Sequence, residues 1–217
     1  MKAFFRGVLY VFRGVRAYYS DKTLWKYGLL PFLLLFLLYF SAFFACFHFL
    51  NSWKFWIVFL LLLFLVPLTL SLFYETAGGV FFDYLLAEYA RKNHLPGPPE
   101  GGGKFWTFLL DTVKFNLISL VLALVLLFLP VAGQLLFLLL VGIRNGETWL
   151  LPALYFYGRT HEEMKKPLRQ KWMLTCGFGV TLTLLLSIPF AGLFLLPSLT
   201  IGGLLLVAEN FLPGKEE

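Results

Sequence analysis

The stretch YGLLPFLLLFLLYFSAFFACFHFLNS, residues 27–52, decides the fold class, because its 26 residues contain no Asp, Glu, Lys or Arg. A bilayer core about 30 Å thick needs about 20 helical residues to cross it. Residues 55–74 form a second charge-free run of sufficient length, and a short polar turn separates the two runs. We therefore predict a transmembrane hairpin, whose long helices occupy residues 27–52 and 54–93.

The composition of the whole chain also indicates a membrane protein. Hydrophobic residues make up 59% of its 217 residues and charged residues 14%, against about 45–50% and about 25% in soluble domains. A soluble domain of this size cannot bury so many apolar side chains. This excludes a soluble enzyme, a nucleic-acid-binding module and a disordered chain. We attribute the net charge of +6 to membrane topology and to anionic lipids as partners, with no nucleic-acid partner.

Two later charge-free runs, residues 115–143 and 173–208, are too long for one simple crossing each. Each contains a Pro-x-Ala-Gly break, from Pro130 to Gly133 and from Pro189 to Gly192. Proline removes a backbone donor, and glycine tolerates the bend that follows. The breaks fit either kinked spanning helices or re-entrant hairpins.

Basic residues favour the hairpins, which we place at residues 104–143 and 173–210. A basic N-terminus predicts a cytoplasmic location. A single crossing by the third run would put the next basic segment, residues 148–172, outside. Its bases are Arg159, Lys165, Lys166, Arg169 and Lys171. We therefore predict an inner-membrane protein with both termini cytoplasmic. Partial-depth hairpins leave polar backbone ends that need protein partners, which predicts a homo-oligomer.

Residues 1–20 predict an amphipathic helix at the membrane surface. Their basic residues fall within a sector of about 80°, and aromatic and aliphatic side chains fill much of the remainder. Arg6, Arg13 and Arg16 interrupt any signal-peptide apolar region. We expect this helix to remain on the mature protein.

The sequence predicts no enzyme, no metal and no cofactor. His48, His94 and His161 are scattered, and Cys46 and Cys176 lie in separate apolar runs. Helix N-termini after the two breaks could favour an anion, or the breaks could only shape packing. The basic segment could set topology, bind lipid headgroups or concentrate an anion. We expect Glu209 to lie at the interface or to pair with one of these bases.

Several motifs, in order, resemble the CysZ sulfate permease and etoposide-induced-protein family. They are Leu24-Trp25-Lys26-Tyr27-Gly28-Leu29-Leu30-Pro31, Tyr155-Phe156-Tyr157, residues 165–171 (KKPLRQK), Gly177-Phe178-Gly179, Ile188-Pro189 and Leu196-Pro197-Ser198. The resemblance covers nearly the whole chain. It implies an all-α integral membrane fold, with two long transmembrane helices and two partly penetrating helical hairpins. It also implies ATP-independent sulfate uptake.

The resemblance further implies an anion site before the first long helix. The family's Gly-Leu-Arg-Arg stretch corresponds here to Thr23, Leu24, Trp25 and Lys26. Lysine is a point charge and lacks the planar fork of arginine, and Arg16 or Lys22 could compensate. Two functions stay open: passive passage of a small inorganic anion, sulfate first, and a non-transporting scaffold or lipid-interacting protein.

Overall fold

The computed structural model describes residues 1–49, 53, 55–59, 77–98, 131–186, 188 and 191–212. Every regular element in these ranges is helical, which confirms the all-α class. The helices are α1 (Lys2–Ser20), α2 (Lys22–Phe49), α3 (Ala77–Lys92), α4 (Val131–Phe156), α5 (His161–Gln170), α6 (Trp172–Leu186) and α7 (Ala191–Asn210).

Helix α2 contains residues 27–49 of the apolar stretch that decides the fold class. Within the described ranges, only Lys22–His48 is long and apolar enough to cross a membrane. The helix begins five residues before the charge-free run because Asp21 caps its start. One carboxylate oxygen of Asp21 accepts a hydrogen bond from the backbone N–H of Thr23, at 2.9 Å.

The beginning of the second apolar run lies beside the end of α2. The ring of Phe55 is 5.7 Å from that of Phe47 and 5.6 Å from that of Phe43. Phe43 also contacts Phe59, at 5.8 Å. The earlier residue of α2, Phe43, reaches the later residue of the second run, Phe59. The two segments therefore run in opposite directions, as in an antiparallel pair. Most of the rest of the predicted second long helix, before residue 77, lies outside the described residues.

Helix α1 is a core element as well as a surface element. It packs against both α6 and α7, and α4 packs against the same two helices. One face of α1 is buried: Gly7, Tyr10, Val11, Gly14 and Tyr18. A Cβ atom at Gly14 would overlap the carbonyl oxygen of Ser198. The amphipathic pattern did not reveal this packing, because glycine adds nothing to an apolar stripe.

The two predicted hairpins are described only in part. Helix α4 is continuous from Val131, which puts Gly133 in its first turn, and it runs on into the segment predicted to begin at residue 148. Helices α6 and α7 flank residues 187–190, with Gly192 in the first turn of α7. Residues 104–130, including Pro130, and Pro189 lie outside the described residues. Re-entrant insertion therefore stays a prediction.

The basic segment folds around the short helix α5. Thr160 caps its start, and Glu163 completes a capping box by bonding back to the backbone N–H of Thr160. Met164 and Leu168 are buried beneath it. This packing fixes which side of α5 faces outward, and that side carries the basic residues.

Candidate functional site

Three helix ends meet where the first long helix begins. Asp21 lies between α1 and α2, and its first carboxylate oxygen accepts hydrogen bonds from the Thr23 backbone N–H and hydroxyl, at 2.9 and 2.7 Å. Its second oxygen accepts from the ammonium of Lys92, at the end of α3, at 2.6 Å. Lys92 also contacts the hydroxyl of Thr23. These contacts join α1, α2 and α3 at one point.

We call Asp21, Thr23, Lys26, Glu88, Arg91 and Lys92 the helix junction. Glu88 accepts hydrogen bonds from Arg91, the shortest at 2.9 Å, and it lies 4.0 Å from Lys92. The Arg91 hydrogen bond is the main cause that lowers the pKa of Glu88, and the charge of Lys26 contributes. The junction therefore holds three cations and two carboxylates.

The Asp21 carboxylate is the most strongly stabilised anion of the junction. The hydrogen bond from Lys92, followed by those from Thr23, lowers the pKa of Asp21 to about 2. Hydrogen bonds to the charged form of an acid favour that form. Asp21 is therefore ionised throughout the physiological pH range.

The four residues that the resemblance implies as the anion site form the first turns of α2. The side chain of Leu24 is fully buried, while Thr23, Trp25 and Lys26 are exposed. The Lys26 ammonium lies 4.8 Å from the centre of the Tyr27 ring, at a distance typical of a cation–π contact. Thr23 already bonds Asp21, so Lys26 is the cation of this stretch that faces outward.

The supporting basic residues divide into two groups. Arg16 and Lys22 are exposed and lie on either side of the α1–α2 turn. The others lie on or beside α5, which packs against α4 and α6, whereas α2 packs against α1, α3 and α7. This second group comprises Arg159, Lys165, Lys166, Arg169 and Lys171, all exposed. The structure thus gives the basic segment its own surface, with an open hollow lined by Glu162, Lys165, Lys166, Arg169 and Gln170.

Glu209 pairs with residues of the first helix. Arg13 donates to both of its carboxylate oxygens, at 2.5 and 2.9 Å, and the Tyr10 hydroxyl donates at 2.7 Å. The packing of α1 along α7 brings residues 13 and 209 together, so these partners of Glu209 come from α1. Lys171 instead donates to the carbonyl oxygen of Asn210, at 2.5 Å.

Sequence reasoning also missed polar groups in α4. Asn145 donates through its side-chain nitrogen to the hydroxyl of Thr183, at 3.0 Å, and the neighbouring Arg144 is half-buried. Both follow Ile143, where the charge-free run ends. The hydroxyls of Thr183 and Thr200 also donate to carbonyl oxygens four residues earlier. They are satisfied within their own helices.

Metal chemistry has no support in the described ranges, which hold no group of three or more His, Cys, Asp or Glu side chains that could ligate an ion. A comparison of the sequence with curated proteins finds no match. The sequence profile of one family, described as "Sulfate transporter CysZ/Etoposide-induced protein 2.4", matches residues 10–197. That range includes most of α1, the helix junction, and α2 to α6. The chain therefore belongs to the CysZ/etoposide-induced protein 2.4 family, as the sequence motifs predict.

Proposed function

We propose that this protein passes a small inorganic anion, sulfate first, across the cell (inner) membrane without ATP. The observation that carries the proposal is the position of Lys26. It lies in the second turn of the one described helix that is long and apolar enough to cross a membrane. Arg91 and Lys92 lie at the same end of that helix, paired with Glu88 and Asp21, so Lys26 leaves the junction with a net positive charge. The family description, which names a sulfate transporter, supports the substrate class.

The chemistry of this end of α2 suits a passing anion. The first backbone N–H groups of a helix and its positive dipole end favour negative charge. Lys26 adds a mobile, strongly hydrated point charge, which attracts an oxyanion without the bidentate grip of arginine. Passage requires binding that is strong enough for entry and weak enough for exit. A lysine in place of an arginine pair therefore favours weak capture and release.

Sulfate flux tests this proposal directly. Purified protein is reconstituted in liposomes, and uptake of labelled sulfate is measured for wild type and Lys26→Ala. Lys2→Ala is the matched control, because Lys2 is an exposed lysine at the opposite end of the 19-residue helix α1. We expect saturable flux that falls severalfold in Lys26→Ala and is unchanged in Lys2→Ala. Flux equal to that of empty liposomes would reject sulfate, and chloride and phosphate would be measured next.

A second candidate is a non-transporting scaffold or lipid-interacting protein. The exposed bases of α5 favour it, because Trp172, which follows α5 in the chain, is 50% exposed. Surfaces that lie at a membrane interface are typically rich in lysine, arginine and tryptophan. This candidate predicts no flux of any anion, together with a melting temperature that rises in liposomes containing anionic phosphatidylglycerol. Neutralising Lys165, Lys166 and Arg169 would abolish that rise.

The proposed topology and assembly have their own test. Both termini are proposed to lie in the cytoplasm. The protein is proposed to be a homo-oligomer, because partly inserted hairpins would expose polar backbone ends to lipid. Chemical cross-linking in native membranes should yield multimers. Recovery of monomer alone would contradict the assembly.

A further inference from the structure

The start of α2 already holds an anion, which is part of the chain itself. The backbone N–H and the hydroxyl of Thr23 donate to one oxygen of the Asp21 carboxylate, and the ammonium of Lys92 donates to the other. An ammonium, a hydroxyl and a helix N–H are the donors by which proteins hold oxyanions. A free oxyanion that approaches Lys26 therefore meets donors that are already engaged.

We propose that Asp21 is a tethered competitor, which occupies Lys92 and the first turn of α2 and must be displaced before a free anion can bind there. This inference rests on the function proposed above. Asp21 is joined covalently to the helix that it caps, so its effective concentration at these donors is on the order of millimolar or higher. A free anion binds only if it interacts with Lys92 and Lys26 more strongly than the carboxylate does. Asp21 thereby selects against weakly bound anions.

The contact has more partners than a helix cap requires. A capping carboxylate needs only backbone N–H groups of the first turn. Here the second oxygen is bound by Lys92, which lies 71 positions along the chain. The side chains of Asp21 and Lys92 are 30% and 32% exposed, so the pair can separate without opening the packed core. Release of Asp21 leaves Lys92 facing the same helix end as Lys26.

The test removes the charge of Asp21 and keeps its shape. Asparagine is as good a helix cap as aspartate, so Asp21→Asn should fold with α2 intact, and Asp21→Ser provides a second capping variant. Glu162→Gln is the control, since it removes an exposed carboxylate from α5 and changes the net charge equally. Sulfate binding is measured by titration calorimetry of the purified protein, and sulfate flux in liposomes. We expect sulfate affinity to rise about tenfold in Asp21→Asn and to stay within twofold in Glu162→Gln.

The outcomes separate this inference from the proposed function. Tighter sulfate binding by Asp21→Asn, without flux in any variant, supports the competitor and rejects transport. Flux in wild type with unchanged affinity and flux in both Asp21 variants supports transport and overturns the competitor. An equal gain in Glu162→Gln would show a general charge effect and also overturn it. Absence of sulfate binding in wild type and both Asp21 variants overturns it as well.

Discussion

Helix α2 and the pair α6–α7 are similarly apolar and have opposite surroundings. Along α2, Phe36, Leu37 and Phe40 are each exposed by more than half. In α6 and α7, Phe178 and Leu204 are fully buried. The difference lies in the small residues: α2 contains one glycine, while α6 contains two and α7 three. Hydropathy measures the tendency of a helix to leave water, whereas small residues decide which apolar helices pack closely against protein.

The strongest way to break this comparison is to remove the close approach of α4 and α6. A side chain at Gly179 would overlap the carbonyl oxygen of Gly142, so Gly179→Leu must push two backbones apart. Overpacking of this kind lowers the free energy of unfolding by about 1–3 kcal/mol, and by more where the added atoms overlap backbone atoms. We expect a lower melting temperature and loss of the monodisperse peak in size-exclusion chromatography.

Ala45→Leu is the matched control, because it adds the same side chain at an exposed position of α2. Its effect on the free energy of unfolding should stay within about 0.5 kcal/mol. Wild-type stability of Gly179→Leu would show that the α4–α6 contact does not form in the folded protein.

The sequence alone predicts the apolar framework for a physical reason. A run of 26 residues without charge cannot remain in water as a helix, so the position of α2 follows from composition. The capping box of α5 is also visible, since Thr160 and Glu163 have the required spacing. Both features depend on residues that are close in sequence.

The candidate site was predictable only in part, because its key contacts are tertiary. The resemblance implies an anion site at the start of α2, and Lys26 is exposed there. Neither hydropathy nor spacing indicates that Lys92 reaches Asp21, since the position of α3 beside α2 sets that distance. The buried face of α1 was hidden in the same way, because Gly7 and Gly14 matter only once another backbone lies against them.

A second prediction sharpens the comparison at the end of α7. This helix is tied to α1 by a side-chain network, in which Glu209 binds Arg13 and Tyr10. Glu209→Gln removes the charge of a bidentate, partly exposed pair, and we expect it to lower the free energy of unfolding by about 1 kcal/mol.

A double-mutant cycle with Arg13→Gln isolates the pair. The comparison pair is Arg91 with Glu88, where the arginine is 75% exposed; its coupling should be weaker than that of Arg13 with Glu209, because solvent screens exposed pairs within one helix. Each arginine bonds both oxygens of its carboxylate, so equal coupling in the two cycles would mean that the lower exposure of Arg13 adds nothing.

The smallest expected effect concerns the hydroxyl groups of the two kinds of helix. Thr183 of α6 is buried and accepts a hydrogen bond from Asn145 of α4, while Ser41 of α2 is exposed and donates to the carbonyl oxygen of Leu38 in its own helix. Interhelical hydrogen bonds of membrane proteins contribute about 0.6 kcal/mol on average. Thr183→Val should therefore destabilise the protein by about that amount, and Ser41→Ala should change nothing measurable. If Ser41→Ala had the larger effect in denaturant unfolding, α2 would be packed against protein at Ser41, and the contrast between the two regions would fail there.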